Sequence, residues 1–316
     1  MTASRNGEDA MGRRGCAVVI PTFGRERVLI ETVEAIVRLP VRPDEILIVD
    51  QTPRHDDATE AALRGWSETG TIRWLRLSAP STVEALNTGL REARAPVVLI
   101  LDDDIIPGAG LVDAHASAHA RFAEAWAVAG QVLQAGEAPV AEGPRGPRAG
   151  LRADLRFRFA ASEPDWVANV IACNLSVKRD RALAVGGFDG NYAPPVAFRF
   201  ETDFARRVLA AGGRIRFEPG ASVRHLRAAS GGTRATGSHL TSASPLHGAG
   251  DYYFALRWGR GWERIGYLAN RPFREVRTRF HLRHPWWIPV KFIGELRALA
   301  LALRLHRRGP RLLIPG

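Results

Sequence analysis

The chain has 316 residues, 46% of them hydrophobic, enough for one large domain or two smaller ones around a sizeable core. Its two cysteines, Cys16 and Cys173, stand far apart, which excludes a disulfide framework or a zinc-finger spacing. The net charge of +11 is uneven: residues 251–316 carry 14 Arg or Lys against 4 Asp or Glu, while the first 250 carry 30 against 29.

No window reaches the roughly 18 apolar residues of a membrane span, and the start, "MTASRNGEDAMGRRG", lacks the apolar run of a secretory signal. The chain is therefore expected in the cytoplasm, with residues 1–15 disordered. From residue 16 strand and helix patterns alternate. "CAVVIPT" (16–22) is a short, β-branched strand, and "ERVLIETVEAIVRL" (26–39) has helical spacing. "EILIVD" (45–50), "IRWLRL" (72–77) and "PVVLIL" (96–101) read as further strands, separated by helices at 57–68 and 81–93. Ser81 with Glu84 three residues on is a capping-box pattern. Near-continuous apolar strands between helices predict a parallel sheet covered on both faces, an α/β/α sandwich. In such a sheet the ligand crevice lies outside the carboxyl ends of the strands. That rule groups Pro21 to Arg25, Asp50 to Thr52 and Asp102 to Asp104 on one edge.

After residue 130 the pattern loosens. "QAGEAPVAEGPRGPRAGLR" (134–152) reads as a flexible excursion, and 165–179 resumes strand character. Residues 200–213 read as a helix, 214–219 as a short strand and 227–250 as a mobile polar loop. From Gly250 onward the pattern is helical. No internal repeat is evident.

Asp102 and Asp104 are one residue apart and, on an extended segment, share a face. Paired carboxylates suit a hard divalent cation, Mg²⁺ or Mn²⁺. No G-x-G-x-x-G follows the first strand and no phosphate-loop motif occurs anywhere, which disfavours dinucleotide oxidoreductases and P-loop enzymes. The charge of a phosphorylated ligand must then be met by a cation and basic side chains.

Taken in order, "VVIPTFGR", "ILIVDQT", "ALNTGLREARAPVVLILDDDI", "ACNLSVKRDRALAVGGFDGNY" and "FETDFARRVLAAGGRIRFEPGASVRH" resemble a family-two, inverting nucleotide-sugar glycosyltransferase of the GT-A fold. The resemblance covers roughly residues 16–260. It implies a catalytic domain over 16–250, with a nucleotide-sugar half (16–130) and an acceptor half (131–250), followed by the basic, aromatic tail 251–316. It implies a nucleotide-diphospho-sugar donor, a glycan, lipid-linked or small-molecule acceptor, and a role in cell-envelope or exopolysaccharide synthesis. By the same resemblance Asp104 is the principal metal ligand, Asp102 and Asp103 sit by the donor or metal, and Asp50 lies near the base. Pro21, Thr22, Phe23 and Arg25 frame the base, Asn87 belongs to the donor side, and His225 completes the metal site or contacts the diphosphate. The family's acidic motif falls on "FETDF": Glu201 aligns with the catalytic base, one methylene longer than the usual aspartate, and Asp203 is the runner-up. Asp165, Trp166 and Asn174 match acceptor-side positions, with Trp166 stacking on a sugar or filling the core. "GGFD" (186–189) matches a turn supporting the acceptor pocket. Leu86 stands where relatives carry a basic residue, so a donor contact is missing or comes from Arg25 or from Arg234, in a lid with "GGTR".

In the tail, Phe292, Leu296, Leu299 and Leu303 form one helical stripe with arginines on another face, which predicts that residues 285–308 lie on an anionic membrane surface. The protein would then be peripheral on the inner face of the plasma membrane. The alternative is a C-terminal helix packed on the catalytic domain. Two other functions fit the scaffold: a non-catalytic nucleotide- or RNA-binding protein using the basic tail, and a nucleotidyltransferase. No RNA motif is present, so no nucleic-acid partner is expected.

Overall fold

The structure, a computed structural model, describes residues 15–313 except 145–149, 153–156, 195, 197, 229 and 233–237. The expected disordered start and Arg234 lie outside the described residues.

Alternation along the first strands builds two cores. In β1 (Cys16–Thr22), Ala17 and Val19 enter one apolar cluster, while Cys16, Val18 and Ile20 enter the other. β2 (Glu45–Asp50) and β4 (Val97–Leu101) divide in the same way. One face is covered by α1 (Arg27–Val37), α2 (Asp57–Glu68) and α4 (Leu111–Arg121), through Leu29, Val33, Leu63 and Leu111. The other is covered by α3 (Thr82–Glu92) and α6 (Phe200–Ala210), through Leu86, Leu90, Phe204 and Val208. Ser81 caps α3 by accepting from the Glu84 amide at 3.3 Å. The predicted box closes only halfway, because the Glu84 carboxylate pairs with Arg91 at 3.1 Å.

With β3 (Arg73–Arg76), β5 (Ile105–Pro107), β6 (Ala125–Gln134), β8 (Asn174–Lys178) and β9 (Arg214–His225), the sheet has the order β3-β2-β1-β4-β8-β6-β9-β5. β1, β2, β3 and β4 are parallel, β8 runs antiparallel between β4 and β6, and β6 and β9 are parallel. The α/β/α sandwich with a mainly parallel sheet is the expected fold.

Several local expectations need correction. The stretch 165–179 is two strands, not one. β7 (Asp165–Val167) pairs with the start of β9 and β8 with β4, since residues 168–173 cross from one end of the sheet to the other. The strand expected to stop at Pro219 continues to His225. A register shift opposite Gly130 and Gln131 absorbs residues 219–221. Gly130 allows this close approach, because a Cβ there would lie 2.4 Å from the Ala221 carbonyl. Part of the excursion 134–152 is held: Val140 bridges to Ala161.

α5 (Arg179–Ala184) follows β8, and beyond β9 the described residues form α7 (Ala249–Trp258), α8 (Gly261–Val276), α9 (Arg279–Arg283) and α10 (Trp287–Arg308). Residue 250 marks no break in packing. Tyr252 and Tyr253 of α7 are buried in the same core as Phe188 and Phe204. α10 reaches that core with small residues, Ala298 and Ala302, and Leu299 and Leu303 pack against it. Half of the stripe assigned to the membrane therefore faces the body. The residues after α10 return to the sheet: the Arg311 carbonyl accepts from Gly190 and the Leu313 amide donates to Gly186. The "GGFD" turn thus holds the end of the chain, with the Asp189 carboxylate accepting from the Arg311 amide at 2.8 Å.

Candidate active site

Three strand ends and one helix start converge at the upper edge of the sheet. β4 ends at Leu101, so Asp102 to Asp104 follow directly. β5 then pairs Ile105 with His225, the last residue of β9, and β6 pairs Gln134 with His225. The ladder thereby delivers an imidazole to the acidic triplet. His225 Nε2 lies 3.2 Å from Asp104 and 3.6 Å from Asp102, and its Nδ1 is 3.1 Å from the Gln134 side-chain oxygen. One ligand atom from each of Asp102, Asp104 and His225 falls within 4.8 Å of the others.

The three aspartates have different surroundings. Asp103 turns inward, accepting from the Thr22 hydroxyl at 2.7 Å and facing Arg25 at 3.3 Å. Burial pushes its carboxyl up to about 7, against the opposing pull of Thr22 and Arg25. Asp104 is also buried, but His225, the Ala228 amide at 2.7 Å and Arg25 outweigh that burial and hold it below the ordinary range. Asp102 is the outward member, its side chain 36% exposed. Two carboxylates of unlike exposure and an imidazole form a mixed oxygen and nitrogen donor set that fits a divalent cation of the Mg²⁺ or Mn²⁺ kind.

Two adjoining hollows open on this cluster. One, about 230 Å³, is lined by Pro21, Thr22, Phe23, Arg25, Gln51, Thr82, the triplet and Gly232. The other, about 300 Å³, is lined by Asp102, Gln134, Ala172, Cys173, Phe200, Glu201, His225 and Arg227. Pro21, Thr82, Asp102, Phe200 and His225 belong to both, so they form one cleft. A larger hollow, of about 1040 Å³, sits at the opposite end of β2 and β3 around Arg42, Glu45 and Arg73, away from every candidate catalytic group.

Glu201 and Asp203 part ways within one helical turn. Glu201, at the start of α6, lines the cleft with Asp102 and accepts from the Ala172 amide at 3.4 Å. Asp203 is fully buried on the far side of the helix. It accepts from Arg207 and from the Trp258 indole, both at 2.9 Å, with Arg257 at 3.5 Å. It holds α6 to the core and does not line the cleft.

Over the first hollow, the segment 230–232 rests on the β1–α1 turn. The Gly232 amide donates to the Phe23 carbonyl at 2.7 Å, and Arg25 donates to the Ser230 carbonyl. Gly231 has φ +77°, and a Cβ there would stand 2.3 Å from the Gly24 carbonyl, so only glycine permits the contact. The loop expected over 227–250 is in contact with the body in its described parts.

Other candidates lie elsewhere. The Asp50 carboxylate is fully buried, between the Thr52 amide at 2.8 Å and His55 and Trp74, each at 3.0 Å. The Asn87 amide clasps Phe188, donating to its carbonyl and accepting from its N–H, both at 2.8 Å. Asn174 is buried against His115, Gln131 and Ala221. Asp165 and Trp166 sit in β7, whose Trp166 pairs with Arg216, whereas the cleft lies at His225 on the other end of β9. Counted along the paired strand β6, from Val128 to Gln134 at about 3.3 Å per residue, that is on the order of 20 Å away. Trp166 packs edge-on to Phe122, with the Arg214 guanidinium over its ring.

Sequence reasoning missed Thr82, Gln134, Ala172, Cys173 and Arg227 as cleft residues. Gln134 could have been found from the strand-end rule once β6 was traced to its last residue. Cys173 carries no signal in its spacing. Burial first, then the nearby Asp102, Asp104 and Glu201 carboxylates, push its thiol well up.

A mainly parallel sheet under helices, with an acidic cluster at its carboxyl edge and a lone carboxylate across a cleft, is a GT-A type of fold. Residues 17–139 match the family described as Glycosyl transferase family 2. It is 28% identical over 116 residues to validoxylamine A glucosyltransferase of Streptomyces hygroscopicus subsp. limoneus, a match covering 36% of this chain and 26% of that protein. Among solved structures, GalNAc-T7 with UDP, GalNAc and Mn²⁺ superposes with a TM-score of 0.61 at 13% identity, over 90% of this chain and 54% of that one. The mannosyltransferase PcManGT from Pyrobaculum calidifontis, with GDP-Man and Mn²⁺, gives 0.53 at 21% identity, over 93% and 79%. The chain thus spans about a quarter of the curated relative and about half of GalNAc-T7. The likeness to the two solved structures is one of fold.

Proposed function

We propose that this protein transfers a sugar from a nucleotide-diphospho-sugar to an acceptor hydroxyl by single displacement, with inversion. The observation that carries the proposal is that Glu201, Asp102 and His225 line one hollow of about 300 Å³, which shares Asp102 and His225 with the adjoining hollow that Asp104 lines, while Asp203 is committed to α6 packing. The GDP-Man of one solved neighbour and the UDP and GalNAc of the other support the donor class. The acceptor hydroxyl belongs to a glycan, a lipid-linked sugar or a small molecule, in cell-envelope or exopolysaccharide synthesis.

In this reading the donor lies across Pro21–Arg25 and the start of α3, with its diphosphate at the acidic cluster. Asp102, Asp104 and His225 would hold a divalent cation, which supplies charge neutralisation for the departing diphosphate when bound. Glu201 takes the proton from the acceptor hydroxyl. The hydroxyl oxygen then bonds to the anomeric carbon from the face opposite the leaving group. The old carbon–oxygen bond breaks, and its electron pair leaves on the diphosphate. A base must come within hydrogen-bond reach of that hydroxyl, and the extra methylene of Glu201 extends it into the cleft. The 230–232 clasp over the first hollow would shield the donor from water. The tail's charge supports a peripheral place on an anionic membrane at the cytoplasmic side.

The test is a panel of nucleotide-sugars assayed with Mn²⁺ for sugar release and transfer. One or more donors are turned over by the wild type and none by Glu201→Gln at equal fold stability. Full turnover in that variant would pass the base to another group.

A further inference from the structure

We infer that the outward face of α8, α9 and α10 is a docking surface for an anionic phospholipid bilayer, sharing only Phe292 and Leu296 with the helical stripe visible in the sequence. Among the described residues, nine large apolar side chains are strongly exposed, and seven of them fall between Trp262 and Leu296. That concentration in three short helices separates a built face from the scattered apolar exposure of ordinary surfaces.

The face is continuous. On α8, Trp262, Ile265 and Phe273 recur along one side, opposite the buried Tyr267 and Arg271. On α10, Ile293 and Leu296 point away from the packing residues Gly294, Ala298 and Ala302. The Phe273 and Phe292 rings meet edge-on with centroids 5.8 Å apart, joining the two helices. Leu282 and Trp286, 81% and 64% exposed, extend the face through α9. No described helix is long and apolar enough to cross a membrane, so this is a face that lies on a surface.

Charge selects the occupant. Of the tail's four acidic residues, Asp251 and Glu295 are buried, bound to Arg199, Arg271 and Lys291. Only Glu263 and Glu275 remain to offset the tail's outer arginines, among them the exposed Arg277, Arg279, Arg283 and Arg297. Arg271 and Lys291 are buried with those two acids, so the outer surface keeps the tail's full surplus of +10, 12 basic residues against 2 acidic. Apolar side chains rimmed by arginine match the acyl boundary and headgroups of an anionic leaflet. A second copy of the chain would instead set like charges against each other.

Residues 240–243 brace the buried side of these helices: His281 Nε2 lies 3.0 Å from the Leu240 carbonyl, and Ser242 and Ala243 pack against Gly294. The docking does not rest on the glycosyltransferase reading.

Co-sedimentation of the full chain with phosphatidylcholine vesicles, with and without phosphatidylglycerol, tests the proposal without any nucleotide-sugar. The wild type is expected to bind only the anionic vesicles, and less at high salt. The combined variant Ile265→Ser, Phe273→Ser, Ile293→Ser and Leu296→Ser is expected to lose binding by about tenfold or more with its melting temperature kept. If that variant fails to fold, Arg277→Gln with Arg283→Gln and Arg297→Gln takes its place, and the same loss is expected. Absent wild-type binding, or binding unchanged in the variant that folds, overturns the proposal. So does a wild-type dimer in sedimentation equilibrium that the serine variant dissolves, since the face would then join two copies. Absent wild-type vesicle binding with donor turnover intact would remove the surface and leave the enzyme reading standing.

Discussion

Two of the clusters of buried charge among the described residues are balanced differently. At the cleft, Asp102, Asp103 and Asp104 face one guanidinium, Arg25, and one imidazole, His225. Under the C-terminal helices, Asp251 and Glu295 face Arg199, Arg271, Arg274 and Lys291. In the second cluster every acid is met by cations: burial works against Asp251, yet Arg199, Arg271 and the Tyr267 hydroxyl at 2.7 Å hold its carboxyl below the ordinary range. The first is left with negative charge over, and Asp103 titrates high. A self-satisfied cluster has structural work only, and an acidic surplus at the edge of a cleft calls for a cation. Arg199 links the two. It caps α6 in the left-handed region, at φ +74°, and its guanidinium is fixed 2.8 Å from Asp251. The balanced cluster therefore holds the helix start that carries Glu201, at the expense of local backbone strain.

The contrast can be broken most sharply at Glu201 and Asp203. Glu201→Gln is expected to lower turnover by about 10²–10⁴-fold with little change in melting temperature. Asp203→Asn is expected to do the reverse, costing stability by weakening the hold on Arg207 and Trp258 while each folded molecule keeps its rate. Steady-state kinetics beside thermal melts separate the two. The next largest effect belongs to the balanced cluster: Arg271→Met leaves Asp251 and Glu295 short of a partner and should cost about 3–5 kcal/mol, read by denaturant unfolding.

A smaller effect is expected on acidification. His115 and His119 are buried beside Ser176 and Asn174, and desolvation lowers them from 6.5 to about 4 and about 3. Their folded values lie below the unfolded one, so the unfolded chain takes up protons first. Stability is then full above pH 6.5 and lost as pH falls from there towards 4, by up to a few kcal/mol. Melting temperature against pH checks this, and His119→Gln should flatten the slope. The smallest effect is at the exposed Arg38–Glu34 pair on α1, 2.8 Å apart, where Arg38→Ala should shift stability by no more than about 0.5 kcal/mol.

The sheet of the first half was legible because its strands are nearly all apolar and end in Pro or Asp. The cleft's acidic edge followed from the same rule, and Glu201 from its motif. What stayed hidden depended on register and partners. Nothing local says that Asn87 and Asn174 spend their amides on Phe188, Gln131 and Ala221. Nothing in "DWVANVIACNLSVKR" shows that six residues cross the sheet and send Trp166 to its far end. The tail misled for a related reason. Its helix has two apolar sides, and spacing alone cannot tell that Leu299 and Leu303 meet the core while Ile293 and Leu296 do not.

The central claim is that the surplus acid at the sheet edge recruits a divalent cation. Titration of Mn²⁺ into the protein, followed by the loss of the free-ion electron paramagnetic resonance signal, tests it without any donor. Saturable binding in the wild type that disappears in Asp104→Asn, with the fold intact, is the predicted result. Mn²⁺ uptake that is absent in the wild type, or equal in the two proteins, would contradict it.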